Sequence, residues 1–358
     1  MAAPRIDYDL LIKSAALPGG MTLARRTLRR LQADEALVRI HRAAICGTDL
    51  HIVQWNAWAA SRYVPPFALG HEFSGIIVDK GTAVADLMVG DKVAGETHLE
   101  CGDCSQCRMG RGHTCLNLRV FSRLDQGAFA EFAIVPARLL RVLPPMLPHK
   151  YACLMEPLGI AVRAVIESRA GTGRLLVVGC GPIGLLTIAA AKALGATMIV
   201  ATDFSADRRR IAMSVGADVA IDPAHADATT TMDDVKGDGG FDAAIESSGS
   251  ASGITTALAV TRPGGVLVLV GLPNEPVAMD LAAHVILREV VLRGIYGRLL
   301  RETWQQVEEL LPRLGEALDR IVTHEFELCE FEHAFEVAAS GAAGKVQFRM
   351  TRSAPKHC

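Results

Sequence analysis

The chain has 358 residues, a length that suits two domains better than one or four. Half of the residues are hydrophobic and 21% are charged, enough for a sizeable core and incompatible with wholesale disorder. Its 37 basic and 39 acidic residues leave a net charge of −2, without the basic excess that nucleic acid or an anionic membrane surface attracts.

From the N-terminus, Met1–Leu31 contains no apolar core of the secretory type, so the expected location is the cytoplasm. Up to about residue 160 the chain is irregular. Short strand-like runs (Leu37–Ile40, Ser74–Val78, Phe129–Val135) alternate with loops rich in Gly and Pro, which predicts an all-β or mixed domain. After Glu156-Pro157-Leu158 the texture changes. Strand-like Leu175–Val178, Met198–Thr202, Val219–Ile221, Ala243–Glu246 and Val266–Val270 are interleaved with helical Ile183–Leu194 and Ala206–Val215. That alternation predicts a parallel, doubly wound sheet. The longest apolar run, Leu175–Ala191, is broken by glycines and Pro182 near its middle and reads as strand, turn and helix, not as a membrane span. The C-terminal part predicts an amphipathic helix over Glu302–Leu314, then Thr323–Glu327, Phe331–Ser340 and Lys345–Thr351, with a frayed tail from Ser353.

Three motifs carry chemistry. Gly179-Cys-Gly181-Pro-Ile183-Gly184 is a G-x-G-x-x-G turn between an apolar strand and a helix, the setting in which glycines admit a pyrophosphate to a helix N-terminus. Asp203 lies 19 residues beyond Gly184, at the end of the next strand. A carboxylate there accepts hydrogen bonds from an adenosine ribose and repels a 2′-phosphate; its alternative role is a helix N-cap. Arg208 could receive a phosphate, but with Asp203 present NAD is the favoured cofactor.

Cys101, Cys104, Cys107 and Cys115 place four thiols within fifteen residues. Crowded thiolates need a cation, and zinc accepts four sulfurs in a tetrahedron; the spacing also admits an iron–sulfur cluster. A closed four-sulfur shell has no open position, so this is a structural site. A separate group of Cys46, Thr48, His51, His71, Glu72 and Glu156 mixes sulfur, nitrogen and oxygen donors, as a catalytic zinc with an open position would require.

Together, Cys46-Gly-Thr-Asp, Gly70-His-Glu, the four-cysteine loop and the later glycine turn resemble the zinc-dependent medium-chain alcohol dehydrogenase family, over nearly the whole chain. Ala44–His51, Trp55, Trp58, Gly95–His98, Gly294–Arg298 and Glu302–Trp304 are similar to the branch that oxidises L-threonine. The resemblance implies a Rossmann doubly wound parallel sheet (residues 161–299) inserted in a mainly-β GroES-like catalytic domain (1–160 and 300–358). It implies one catalytic and one structural zinc per chain, and NAD.

Roles follow by position. Cys46 and His71 ligate the catalytic zinc, with Glu72 a further or exchanging ligand and Glu156 an acidic neighbour that can ligate transiently. Thr48 and His51 form a proton relay for a hydroxyl whose pKa zinc lowers. Ile183, Asp203, Arg208, Val270-Gly271-Leu272 and Ile295-Tyr296 contact the cofactor. The implied reaction is oxidation of a small secondary alcohol, threonine first and a polyol as the alternative. The family forms homotetramers or homodimers, and the apolar run Val285–Leu292 is the candidate interface. Two departures bear on the substrate: Arg163 stands where the threonine branch has a histidine, and Thr27–Ala36 lacks the usual proline-rich pattern. His98, Arg123 and Arg298 are candidates for holding a substrate carboxylate.

Overall fold

In a computed structural model, residues 6–123 and 126–350 are described, and the side chain of Arg123 and the tail from Thr351 lie outside that set. The chain forms two compact units. The first holds the chain up to Glu156, His324–Ala339 and the segment from Lys345; the second holds Pro157–Thr323 and Ser340–Gly344.

The first unit is built on antiparallel strands, in the order Leu140–Val142, Lys92–Gly95, Glu72–Lys80, Glu35–Ala44, Lys345–Arg349 and Val322–Glu327. Phe132–Pro136 also pairs with Glu35–Ala44. Glu35–Ala44 is buried over most of its length because it has neighbours on both edges, and its Val38, Ile40 and Ala44 are fully covered. The expected strand from Phe129 starts only at Phe132, since Phe129 is engaged in a turn in which its N–H donates to the Leu69 carbonyl. A second sheet joins Asp7–Lys13 to Met21–Thr27 and to Phe67–Ala68.

The second unit is a six-stranded parallel sheet in the order Val219–Ile221, Met198–Thr202, Arg174–Val178, Phe241–Glu246, Thr261–Leu269, Val291–Gly294. Numbered along the unit, the strands run 3-2-1-4-5-6, so the order reverses beside Arg174–Val178, where such sheets bind dinucleotides. One face packs Leu176, Val200 and Leu267 against Met232, Ala257 and Leu258 of the helices Ala228–Lys236 and Ala251–Val260. Helix Pro182–Leu194 packs against the first two strands and buries Leu185, Leu186 and Ile188.

The expected helix Glu302–Leu314 ends at Leu310 and tightens into a 3-10 turn at Leu311–Arg313, where Pro312 has no N–H to continue the ladder. Residues 300–323, expected with the first unit, belong to the second. Leu318 and Ile321 of Gly315–Ile321 are buried, and that helix packs against Pro182–Leu194 and Ala206–Ser214. Cys329 is disulfide-bonded. No helix among the described residues is long and apolar enough to cross a membrane.

Candidate metal centres and nucleotide site

Strand register assembles the first centre. Ala44 pairs antiparallel with Glu72, so Cys46, two residues past one strand end, meets His71, which immediately precedes the other strand. Donor atoms of Cys46, His71 and Glu72 all lie within 4.8 Å of one another, and His71 and Glu72 are buried. On the far side of the central strand Gln347 pairs with Ala44, which brings Lys345 to the same edge. Its Nζ lies 2.7 and 2.6 Å from the two Glu72 oxygens, with both side chains buried.

Burial pushes the Glu72 carboxyl above its ordinary range; Lys345 opposes the shift and Glu156 reinforces it. For His71, burial opposes protonation, but the negative field of Asp49, Cys46 and Glu156 outweighs it and holds the imidazole well above its usual value. A pocket that concentrates negative potential on a half-buried S donor and buried N and O donors suits a divalent cation. Glu156, in the first turn of Met155–Ser168, lies outside the three-donor group; its Oε1 accepts from Thr97 Oγ1 at 3.1 Å.

Cys46 also caps the helix Gly47–Gln54, and Asp49 completes the capping box by accepting from the Cys46 N–H at 2.9 Å. The other Asp49 oxygen is 3.7 Å from His71 Nδ1. Asp49 thereby anchors the Cys46 backbone and sets a carboxylate beside the His71 ring, the place an outer partner of metal ligands takes. Thr48 and His51 stand three residues apart on this helix and share a face. Sequence reasoning assigned no role to Asp49, Thr97 or Lys345. The i, i+3 spacing of Cys46 and Asp49 was a usable signal; Thr97, between two strands, and Lys345, at the start of a distant one, reach the site only through tertiary packing.

In the cysteine loop, four Sγ–Sγ separations are 3.4 Å (Cys101–Cys115), 3.5 Å (Cys104–Cys107), 3.8 Å (Cys104–Cys115) and 4.0 Å (Cys101–Cys107). A tetrahedron with zinc–sulfur bonds of ~2.3 Å has edges of ~3.8 Å, so the sulfurs are spaced to hold zinc. Backbone N–H groups of Cys107 and Leu116 point at Cys104 and pull its thiol down to about 6. Gly102 and Gly110, both at positive φ, provide the wrap.

In the second unit, a Cβ on Gly184 would lie 1.8 Å from the Gly179 carbonyl oxygen, so only glycine lets the helix start there. Asp203 is not the N-cap: Ser205 caps Ala206–Ser214 by accepting from the Arg208 N–H. Asp203 instead accepts from Cys180 N at 2.7 Å, within the glycine turn, and from Ser205 N at 2.8 Å. Arg208 donates Nε–H to the Ala343 carbonyl, while Arg209 donates to the carbonyls of Asp203 and Phe204 and pairs with Asp222. Beside Asp203 opens a cavity of about 540 Å³ lined by Gly179, Phe204, Ile221, Met232 and Ser248 among others, large enough for the adenosine half of a dinucleotide.

Val270–Leu272 and Ile295-Tyr296 follow the C-terminal ends of their strands, on the same sheet edge as Gly179. The Val270 and Gly271 N–H groups donate to the Glu246 carbonyl, and the Ile295 N–H donates to that of Leu269. Arg163 binds this loop, donating from Nη1 to the Tyr296 carbonyl at 3.0 Å and the Gly297 carbonyl at 3.2 Å. Of the residues considered for a substrate carboxylate, His98 and Arg298 are both buried. The Arg298 stem packs on Gly159, where a Cβ would sit 2.6 Å from Arg298 Cδ.

The comparisons agree with this geometry. Residues 32–145 match the alcohol dehydrogenase GroES-like domain, and residues 182–313 match the zinc-binding dehydrogenase domain. The L-threonine 3-dehydrogenase of Bacillus subtilis (strain 168) is 38% identical over 91% of this chain and 94% of its own length. A crystal structure from Sinorhizobium meliloti 1021 with NADP bound superposes with a TM-score of 0.87 at 27% identity, covering 96% of this chain and all of that one. An alcohol dehydrogenase of Escherichia coli CFT073 complexed with NADH gives 0.86 at 25% identity, covering 96% of this chain and 99% of that one. With both domains matched in order and this coverage of the relatives, the chain belongs to the zinc-dependent alcohol dehydrogenase family.

Proposed function

We propose that the chain oxidises L-threonine at its side-chain hydroxyl to 2-amino-3-oxobutyrate, with NAD as the hydride acceptor. The observation that carries this reading is the convergent Cys46–His71–Glu72 donor set, because three mixed protein ligands leave a position for a substrate oxygen. The threonine assignment is supported by similarity to the Bacillus subtilis enzyme across almost its full length. When bound, zinc would supply Lewis acidity to the hydroxyl, and NAD would serve as acceptor for the hydride on the carbon that bears it.

The chain's own residues do the rest. Cys46 and His71 hold the metal, and Asp49 fixes their orientation. Thr48 takes the hydroxyl proton and His51 carries it outward. Glu72 is held by Lys345, and Glu156, tethered by Thr97, stands by as a second carboxylate. Asp203 receives the ribose hydroxyls and disfavours a 2′-phosphate by charge, which supports NAD over NADP. The four cysteines hold the structural zinc.

Assembly and location are part of the same reading. Val291–Gly294 is an edge strand, and Leu281, Ile286, Leu287 and Val291 around it are exposed, which supports self-association as a dimer or tetramer of a cytoplasmic enzyme.

NADH or NADPH formation followed across threonine, sorbitol, xylitol and butane-2,3-diol tests the proposal. Threonine with NAD should be the fastest pair. Brisk turnover of a polyol with none of threonine would overturn it.

A further inference from the structure

His51 lies in the last turn of Gly47–Gln54, and its ring is fixed from one side by the next short helix. Asn56 begins that helix, Ala57–Ala60, as its N-cap: its Oδ1 accepts from the Ala59 N–H at 3.0 Å. This contact fixes the amide, because an N–H can be satisfied only by the carbonyl oxygen and not by the NH₂ group. The Nδ2 group of Asn56 is therefore the end that faces His51 Nδ1, at 2.7 Å. A donor aimed at Nδ1 requires a lone pair there.

We propose that Asn56 is a positioning residue that sets the tautomer of His51, holding the neutral ring with its proton on Nε2 and its Nδ1 as acceptor. An added proton can enter only at Nδ1, where it faces the Asn56 NH₂ donor and breaks that bond. The imidazolium is disfavoured, and a ring that has taken up a proton releases it readily. This is the property an outward proton relay needs at neutral pH.

The surroundings reinforce the bias. Burial depresses the proton affinity of His51 below that of a free imidazole. From the following short helix it faces Trp58, whose ring centroid is 5.7 Å away and which carries the Arg62 guanidinium on its own ring. The Lys13 ammonium lies over Trp55, at the end of the His51 helix. The carboxylates on Phe331–Ala339, Glu332 and Glu336, line a cavity with Leu50, Val53 and Gln54 of that helix. Asp49, on the same helix, is occupied by Cys46 and His71. Opposing the bias is the helix C-terminus, which favours a cation.

Asn56→Asp is the discriminating variant. Aspartate caps a helix as well as asparagine does, so the Ala59 contact is retained, while the atom facing Nδ1 changes from donor to acceptor. The zinc-loaded enzyme, labelled with ¹⁵N-histidine and assigned with His51→Gln, reports tautomer and titration directly. The expected native pattern is a neutral Nε2–H ring, and in Asn56→Asp the His51 pKa should rise by about 1–2 units. A native Nδ1–H ring, or a pKa unmoved by Asn56→Asp, would overturn the proposal. The role of the tautomer in turnover rests on His51 being the relay. If that reading holds, the acid limb of kcat/KM rises with the NMR titration. If the NMR titration shifts while the limb stays put, the tautomer assignment stands and the relay reading fails.

Discussion

Lys345 and Glu72 form a buried ion pair across the central strand of the first unit, with the ammonium 2.6 Å from one carboxylate oxygen. The pair fills the space beside Cys46 and His71, so the metal donors rest on a charge balance supplied from the far end of the sequence. Removing one partner of such a pair strands the other charge in a poorly solvated site. Lys345→Met is expected to lower stability by about 3–5 kcal/mol, and adding Glu72→Gln should recover part of the loss. Denaturant melts of the two variants check this; no loss in Lys345→Met would show that water reaches Glu72.

Arg163 stakes out a different dependence. Its guanidinium holds two consecutive carbonyls of the Tyr296–Gly297 turn. Each charge-assisted bond is worth about 1.5–3 kcal/mol when its partner is left unsatisfied. Arg163→Met should weaken NADH binding about tenfold or more and leave ADP-ribose, which has no nicotinamide, unaffected. Titrations by fluorescence quenching and calorimetry separate the two; equal weakening of both ligands would place the effect on the whole unit.

The cysteine loop predicts a metal stoichiometry. Native protein should carry two zinc ions per chain, and Cys104→Ser one, with a lower melting temperature because that metal closes a loop with little core of its own. Metal analysis with calorimetry decides the point. Two zinc ions retained by Cys104→Ser would remove the structural assignment.

Acid stability should respond to a stacked histidine pair. His41 and His149 lie with ring centroids 4.3 Å apart and planes 9° from parallel, and His149 Nδ1 meets Ser74 Oγ at 3.2 Å. Burial, with the charges of His41, Lys92 and Arg42, pulls His149 down to about 4. In the unfolded chain the ring titrates near ~6.5, so between these values the unfolded state binds more protons. The stability from the neutral ring is complete above about pH 6.5 and is lost as pH falls towards 4. The melting temperature should fall by several degrees over that window, and His149→Phe should flatten the slope. An unchanged slope would assign the acid sensitivity elsewhere.

Much of the site was legible because its residues sit in short local patterns. The glycine turn, the four cysteines, Cys46 with Thr48 and His51, and His71 with Glu72 each occupy a few consecutive turns of chain. The parallel character of the second unit's sheet followed from the alternation of apolar strands with helices. Lys345, Thr97 and Arg163 gave no such signal, because register and packing between distant segments, not spacing, bring them to their partners. Arg163 stood out only as a departure from a family pattern. The strands Asp7–Lys13 and Met21–Thr27 escaped notice for a related reason. Lys13 is buried by donating to the carbonyls of Leu17, Gly19 and Val53, and Arg25 and Arg26 make the second strand look like surface.

Asp203 spends both of its oxygens on backbone N–H groups, one of them Cys180 N inside the glycine turn. On the proposed function, the carboxylate that would select the cofactor is therefore also a strut for the loop that would receive the cofactor's phosphates. An attempt to redesign this enzyme for NADP by exchanging Asp203 for a neutral side chain would slacken that loop together with the charge barrier. The two dinucleotides would lose affinity together before either gained, and a successful redesign would need a replacement acceptor for the Cys180 N–H alongside the new phosphate contact.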